Sequence, residues 1–112
     1  MTTPARRLAF SVLVDIERGP TLADRLAEPA VEALPARERS FLHELVLGVL
    51  RRRGALDYAL APLVDRPLPR LSPDVLTALR LGAYQLLHLR VPEHAALSES
   101  VELARAARPR AA

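Results

Sequence analysis

The sequence predicts an all-α domain, a compact orthogonal bundle of about six helices. Its 112 residues allow one domain, and 50% of them are hydrophobic, which is typical of a globular protein. Apolar residues recur three and four positions apart, whereas no segment shows the alternation of a strand. Leucine, alanine and valine dominate and only 4% of residues are aromatic, which favours helices. Cysteine is absent, which excludes disulfides, zinc thiolates and cysteine nucleophiles.

The first helix is predicted over residues 4–18. Pro4 suits the first turn, where its missing N–H is not needed. Gly19 and Pro20 end the helix, because glycine tolerates a left-handed cap and proline cannot continue the helix. Its apolar stripe at helical spacing is formed by Leu8, Ala9, Val12, Leu13 and Ile16.

The second helix is predicted to be short. Thr21 is its N-cap, and Leu22 and Leu26 lie four positions apart on one side. Because proline cannot continue a helix, we expect Pro29 to close this one.

The third helix is predicted over residues 36–53, with Gly54 as its stop. Gly48 inside it lowers helix stability by about 1 kcal/mol relative to alanine. Close approach of another helix backbone would explain why a glycine stands there. Its broad buried face is formed by Phe41, Leu42, Leu45, Val46, Val49 and Leu50. A fourth helix follows over residues 55–64, where Pro62 shortens or kinks it. Its inward residues are Leu56, Ala59, Leu60 and Leu63.

Residues 65–72 form a connector, and Ser72 opens the fifth helix as its N-cap. That helix runs to about residue 89. Gly82 indicates a tight helix crossing. The predicted buried residues are Val75, Leu76, Leu79, Ala83, Leu86 and Leu87. The sixth helix begins near His94 and has inward residues Leu97, Val101 and Ala104 and outward residues Glu99, Glu102 and Arg105.

No catalytic residue or metal site is predicted. The histidines, His43, His88 and His94, have no spacing that places two ring nitrogens on one helix face as ligands. Ser40 is close to His43, but a helix face offers neither an oriented nucleophile nor an oxyanion hole. The glycines stand at separate positions and form no phosphate-binding loop.

Arginine supplies all 16 basic residues, and the net charge is +3. Both GC-rich codon usage and a phosphate-binding surface explain this composition, since arginine forks match phosphate oxygens bidentately. Two groups are candidate phosphate contacts. Arg6 and Arg7 lie in the first turn of the first helix, where N–H groups already favour anions. Arg51, Arg52 and Arg53 close the third helix, where interaction with the helix dipole explains them equally well.

Targeting and membrane segments are not predicted. No stretch approaches the roughly 18 uncharged apolar residues of a membrane span. We therefore expect no membrane partner and a cytoplasmic location, which the absence of cysteine fits.

Three stretches carry a family resemblance. Residues 79–87 (LRLGAYQLL) and 91–104 (VPEHAALSESVELA) resemble a signature of the NusB-like helical domain. Residues 39–51 (RSFLHELVLGVLR), followed by Leu56 and Asp57, and the opening residues 6–10 (RRLAF) narrow the match. Together they resemble the N-terminal domain of the RsmB/Sun family, bacterial methyltransferases of small-subunit ribosomal RNA that act on cytosine carbon 5.

This resemblance implies a role. In the family the domain is an RNA-binding accessory element, and a separate Rossmann-type domain binds S-adenosylmethionine and uses two cysteines. The chain itself is therefore expected to be non-catalytic and without a cofactor, with ribosomal RNA and the catalytic domain of the same polypeptide as partners. In the antitermination relatives the arginine-rich start of the first helix contacts RNA, and this role maps onto Arg6 and Arg7. Arg51, Arg52 and Arg53 are added as candidate RNA contacts because their charges are close together.

One departure from the family concerns the end of the chain. In the family another helix follows, whereas this chain stops at residue 112, so we expect a fragment truncated before its last helix. A groove left open there would be apolar, which predicts self-association, for example as a homodimer. Two other functions stay open: a stand-alone NusB-type antitermination factor and a purely structural interaction domain.

Overall fold

The structure, a computed structural model, describes residues 3–17, 19 and 22–107, without the side chains of Leu97 and of residues 104–107. Within these ranges it contains helices and no strand, which confirms the all-α prediction. Its α-helices are α1 (Pro4–Ile16), α2 (Leu22–Leu26), α3 (Pro29–Glu32), α4 (Ala36–Arg51), α5 (Arg53–Leu60), α6 (Pro73–His88) and α7 (Glu93–Ala107). Two 3₁₀ helices, Ala61–Leu63 and Leu68–Arg70, connect α5 to α6.

Helix α1 confirms the predicted first helix. The Thr3 side chain accepts a hydrogen bond from the backbone N–H of Arg6, and Pro4 occupies the first turn. Gly19 has φ +131°, a backbone conformation that side-chain-bearing residues rarely adopt. Arg18, Pro20 and Thr21 lie outside the described residues. The fully buried face consists of Ala5, Ala9, Val12, Leu13 and Val14.

The second helix ends at Leu26, before Pro29, as predicted, but the helix that Pro29 itself opens was not predicted. Pro29 opens the separate helix α3, because a proline lacks only an N–H that the first turn does not use. Helix α2 is held against α1 by Arg25, which donates to Ser11 Oγ at 3.1 Å and pairs with Asp15 at 3.2 Å. Arg25 also pairs with Glu28, so this buried cation is compensated by two carboxylates.

Gly54 does not end the third helix. Helix α4 ends at Arg51, and Arg52 turns the chain with φ −112° and ψ 17° before α5 begins at Arg53. A single residue in this sparsely allowed region suffices to reorient the chain, so no glycine is required. Gly54 lies inside α5, and a Cβ built there meets nothing within 4 Å.

Pro62 shortens α5 as predicted, and the chain continues as a 3₁₀ helix. Leu56 and Leu60 are buried, but the prediction that Ala59 and Leu63 point inward is wrong. Leu63 is 78% exposed because the 3₁₀ turn takes it out of the register of α5.

Helix α6 begins as predicted, with the Ser72 hydroxyl accepting from the backbone N–H of Val75. The predicted buried face is wrong. Leu86 and Leu87 are exposed and Val75, Leu76, Leu79 and Ala83 are only half-buried. The fully buried residues are Thr77, Ala78, Leu81, Gly82, Tyr84 and Gln85. Leucines lie on two sides of α6, so the pattern did not show which side faces the core.

The face predicted for the last helix is also wrong. Val101 is 44% exposed, whereas Glu99, predicted to point outward, is buried. The buried residues Ala96, Glu99, Ser100 and Leu103 keep helical spacing but are displaced from the predicted stripe. Glu102 is exposed as predicted. The side chains of Leu97, Ala104 and Arg105 lie outside the described part.

The core forms where α1, α4 and α6 meet. Gly82 confirms the predicted tight crossing, because a Cβ there would collide with the Ser100 hydroxyl and contact the Ala96 carbonyl of α7. Gly48 is also at a close contact, but with the ring of Tyr84 rather than with the predicted helix backbone. Among the described helices, none is long and apolar enough to cross a membrane.

Candidate RNA interface

Arg6 reaches from the first turn of α1 to two other helices. Its Nε donates a hydrogen bond to Gln85 Oε1 on α6 at 2.7 Å. Its guanidinium carbon lies 5.0 Å from the centre of the Phe41 ring on α4, a cation–π distance. The half-buried Arg6 is therefore held in place by the bundle and is not a freely moving surface cation.

Arg7 is placed differently from its neighbour. Its backbone N–H bonds to the Thr3 carbonyl at 3.0 Å, and its side chain is exposed. Together with Pro4, Leu8 and Ser11 it lines a shallow depression of about 360 Å³ on the surface of α1. The first turn of α1 thus combines a fixed guanidinium, an exposed guanidinium and the positive end of a helix dipole.

The second arginine group lies at the other end of α1. Arg53 pairs with Glu17 at 3.0 Å, and Glu17 caps the C-terminal end of α1. At 1.5 Å per residue, Glu17 is about 16 Å along the helix axis from Arg6. Arg51 and Arg52 are exposed at the turn between α4 and α5. The structure therefore separates the two predicted groups, and RNA contact by either group stays a prediction.

Tyr84 lies next to the second group but is not a base-stacking surface. It is 5% exposed, and its hydroxyl donates to Glu44 Oε1 at 3.3 Å. Burial raises the pKa of the Tyr84 phenol; the charge and hydrogen bond of Glu44 act in the same direction, and Arg52 and Arg51 oppose them. The phenol is thus kept neutral as a hydrogen-bond donor inside the bundle.

Gln85 and Phe41 are the functional candidates that sequence reasoning missed. In the sequence, Gln85 stands only in a stretch that resembles the family, and Phe41 in another such stretch and in a predicted buried face. A signal was available, because Gln85 is a lone amide in an otherwise apolar stretch of α6. A buried amide needs a hydrogen-bond partner, and Arg6 supplies it.

An apolar groove lies on the side of α6 away from the core. It has a volume of about 530 Å³, and Glu93 at its edge is the charged residue of its lining. Leu63, Leu86 and Leu87 expose 78%, 41% and 56% of their surface beside it. Its other lining residues are Ala59, Leu60, Val64, Leu79, Gly82, Ala83, Ala96 and Ser100. No cluster of three or more potential metal ligands occurs in the described part of the chain.

The comparison with protein families agrees with this architecture: the model of the NusB family matches residues 3–112. The chain belongs to the NusB family. This confirms the resemblance to the NusB-like helical domain. The bundle that presents Arg6 and Arg7 is therefore a NusB-family bundle.

Individual proteins that are similar to this chain are named as methyltransferases. A probable ribosomal RNA small subunit methyltransferase B of Synechocystis is 41% identical over 105 residues, which cover 91% of this chain and 24% of the relative. The Bacillus subtilis protein of the same name is 34% identical over 92% of this chain and 24% of its own length. A putative methyltransferase of Mycobacterium tuberculosis is 40% identical over 90% of this chain and 22% of its own length. The chain thus spans about a quarter of the length of these relatives.

Proposed function

We propose that this chain is the RNA-binding accessory domain of a ribosomal RNA cytosine-5 methyltransferase. In this role residues 1–112 help to dock small-subunit ribosomal RNA for a catalytic domain of the same polypeptide, which binds S-adenosylmethionine. The observation that carries the proposal is the pair Arg6 and Arg7 in the first turn of α1, one fixed by Gln85 and one exposed. The names of the relatives supply the RNA class.

In this proposal the chain binds RNA and catalyses no step of the methyl transfer. The family chemistry that the resemblance implies uses cysteines, and the sequence contains none. What the arginines supply is charge and hydrogen-bond donors for phosphate oxygens. RNA binding would then weaken steeply with salt, because each neutralised phosphate releases counterions. We expect this work to take place in the cytoplasm.

The test is binding of a fluorescently labelled small-subunit ribosomal RNA transcript, measured by anisotropy. Replacing Arg6→Glu together with Arg7→Glu should lower the affinity at least tenfold, because two phosphate contacts become repulsive. Arg66→Glu with Arg70→Glu is the matched control, since both residues are exposed and the net charge changes equally. Equal losses in the two pairs would reduce the effect to general charge and contradict the proposed site.

Arg6 has contacts inside the bundle, so its replacement needs a second variant. Arg7→Glu replaces an exposed side chain and should lower the affinity while the variant keeps its helix content, which circular dichroism measures. An unchanged affinity in both the double variant and Arg7→Glu would leave a purely structural interaction domain as the better description.

A second copy of this chain is proposed as a further partner, which binds at the apolar groove. Leu63, Leu86 and Leu87 are exposed along it, and packing them against a second copy would remove their apolar surface from water. The proposed contact is isologous, with the groove residues of one copy packed on those of the other.

A further inference from the structure

We infer that Gln85 and Phe41 are positioning residues that hold the Arg6 guanidinium ready for an RNA phosphate. The inference rests on the proposed function and deepens it. Gln85 accepts from Nε of Arg6, and the Phe41 ring covers one face of the guanidinium. Gln85 acts through Arg6 and not by touching RNA, since it is 1% exposed.

The orientation of Gln85 is fixed from both ends of its amide. Nε2 of Gln85 donates to the Leu81 carbonyl at 3.2 Å, so Oε1 is the atom that faces Arg6. A fully buried amide that left either end unpaired would be costly, which opposes a flip of the amide. The acceptor for Arg6 is therefore a rigid part of α6.

The hydrogen bond to Gln85 occupies Nε of Arg6 and not the edge that binds a phosphate bidentately. Within the described part of the chain, the hydrogen bond found for the Arg6 side chain uses Nε. The fork formed by the two Nη groups is the edge that matches a phosphate bidentately. Because Arg6 is already ordered, RNA binding loses little side-chain entropy, an advantage of about twofold to tenfold in affinity.

Salt-dependent binding separates positioning from charge. Using the same labelled ribosomal RNA transcript, Arg6→Ala should lower the affinity about tenfold and reduce the slope of log affinity against log salt by about 0.7 to 0.9. Gln85→Met has a similar side-chain volume and removes the acceptor but no charge. It should lower the affinity about twofold to tenfold and leave the salt slope unchanged.

A double-mutant cycle tests whether Gln85 acts through Arg6. In the Arg6→Ala background, Gln85→Met should have no further effect on affinity. Phe41→Leu is the second probe, because it keeps an apolar contact and removes the cation–π face. It too should weaken binding only when Arg6 is present. Arg70→Ala, which removes an exposed arginine near the opposite end of α6, is the control for charge.

Three results would overturn the positioning role. These are an unchanged affinity after both Gln85→Met and Phe41→Leu, equal losses in the presence and absence of Arg6, and an unchanged affinity after Arg6→Ala. Each leaves the proposed function standing if Arg7→Glu still weakens binding. The proposed function fails separately. It fails when the double variant Arg6→Glu with Arg7→Glu and the single variant Arg7→Glu both bind the transcript as tightly as the unchanged protein.

Discussion

The ring of Tyr84 on α6 occupies the space beside Gly48 on α4 that a Cβ would need. The contact brings two helices together without a side chain on the α4 side. Because Tyr84 is buried and bonded to Glu44, its ring cannot move aside at little cost.

Replacing Gly48→Ala should therefore lower the free energy of unfolding by about 1–3 kcal/mol, through overpacking that outweighs the better helix propensity of alanine. Urea unfolding followed by circular dichroism measures this change. Gly54→Ala is the matched control inside α5, where a Cβ meets nothing, and should raise stability by up to about 1 kcal/mol. Destabilisation of similar size in both variants would contradict the steric explanation.

Asp57 and Arg80 join α5 to α6 through two hydrogen bonds of 2.8 Å. Their side chains are 30% and 12% exposed, so solvent only partly screens the pair. Asp57→Asn should lower the free energy of unfolding by about 1–2 kcal/mol, because Arg80 loses its bidentate acceptor. Asp65→Asn, at an exposed pair with Arg66, should change it by less than about 0.5 kcal/mol. Equal effects at the two aspartates would argue against a structural role for the pair of Asp57 and Arg80.

The raised pKa of Tyr84 predicts a loss of stability in alkali. The folded state favours the neutral phenol, so this contribution is complete below pH 10, the unfolded value, and is lost as the pH rises through the folded pKa. The stability difference between the original protein and Tyr84→Phe should therefore shrink above pH 10. Urea unfolding between pH 8 and about pH 11 tests this, with Tyr58→Phe at an 85% exposed position as control. A difference that is constant with pH would contradict it.

Self-association should depend on the leucines beside the apolar groove. Sedimentation equilibrium at high protein concentration is expected to show dimers. Leu63→Asp with Leu87→Asp should shift the protein to monomers without loss of helix content, since both side chains are largely exposed. Tyr58→Asp changes an exposed residue that does not line the groove and should leave the dimer intact. A strictly monomeric profile of the unchanged protein would disprove the proposed dimer.

The starts of α1 and α6 were predictable because their start signals are local. Thr3, Ser72 and the prolines that follow them set the starts of α1 and α6 through interactions within one turn. The turn at Arg52 was not predictable, since its backbone conformation is imposed by the packing of α4 and α5 and is open to most residues.

The orientation of α6 shows where sequence patterns fail. Its leucines serve both the core and the groove, while the core side includes Gln85, a polar residue whose burial is compensated by hydrogen bonds with Arg6 and with the Leu81 carbonyl. The same long-range contact decides the candidate site. The contacts that hold Arg6 come from α6 and α4, so the spacing of residues along α1 could not reveal them.

The separation of the two arginine groups along α1 has a consequence for the length of RNA that can use both. A strand that touches Arg6 and also reaches the turn at Arg52 must run lengthwise beside the helix. At 3.4 Å per stacked nucleotide, the interval of about 16 Å corresponds to about five nucleotides. If both groups contact RNA as proposed, oligonucleotides shorter than this would reach one end alone, and the affinity should rise abruptly once the strand is long enough to span the helix.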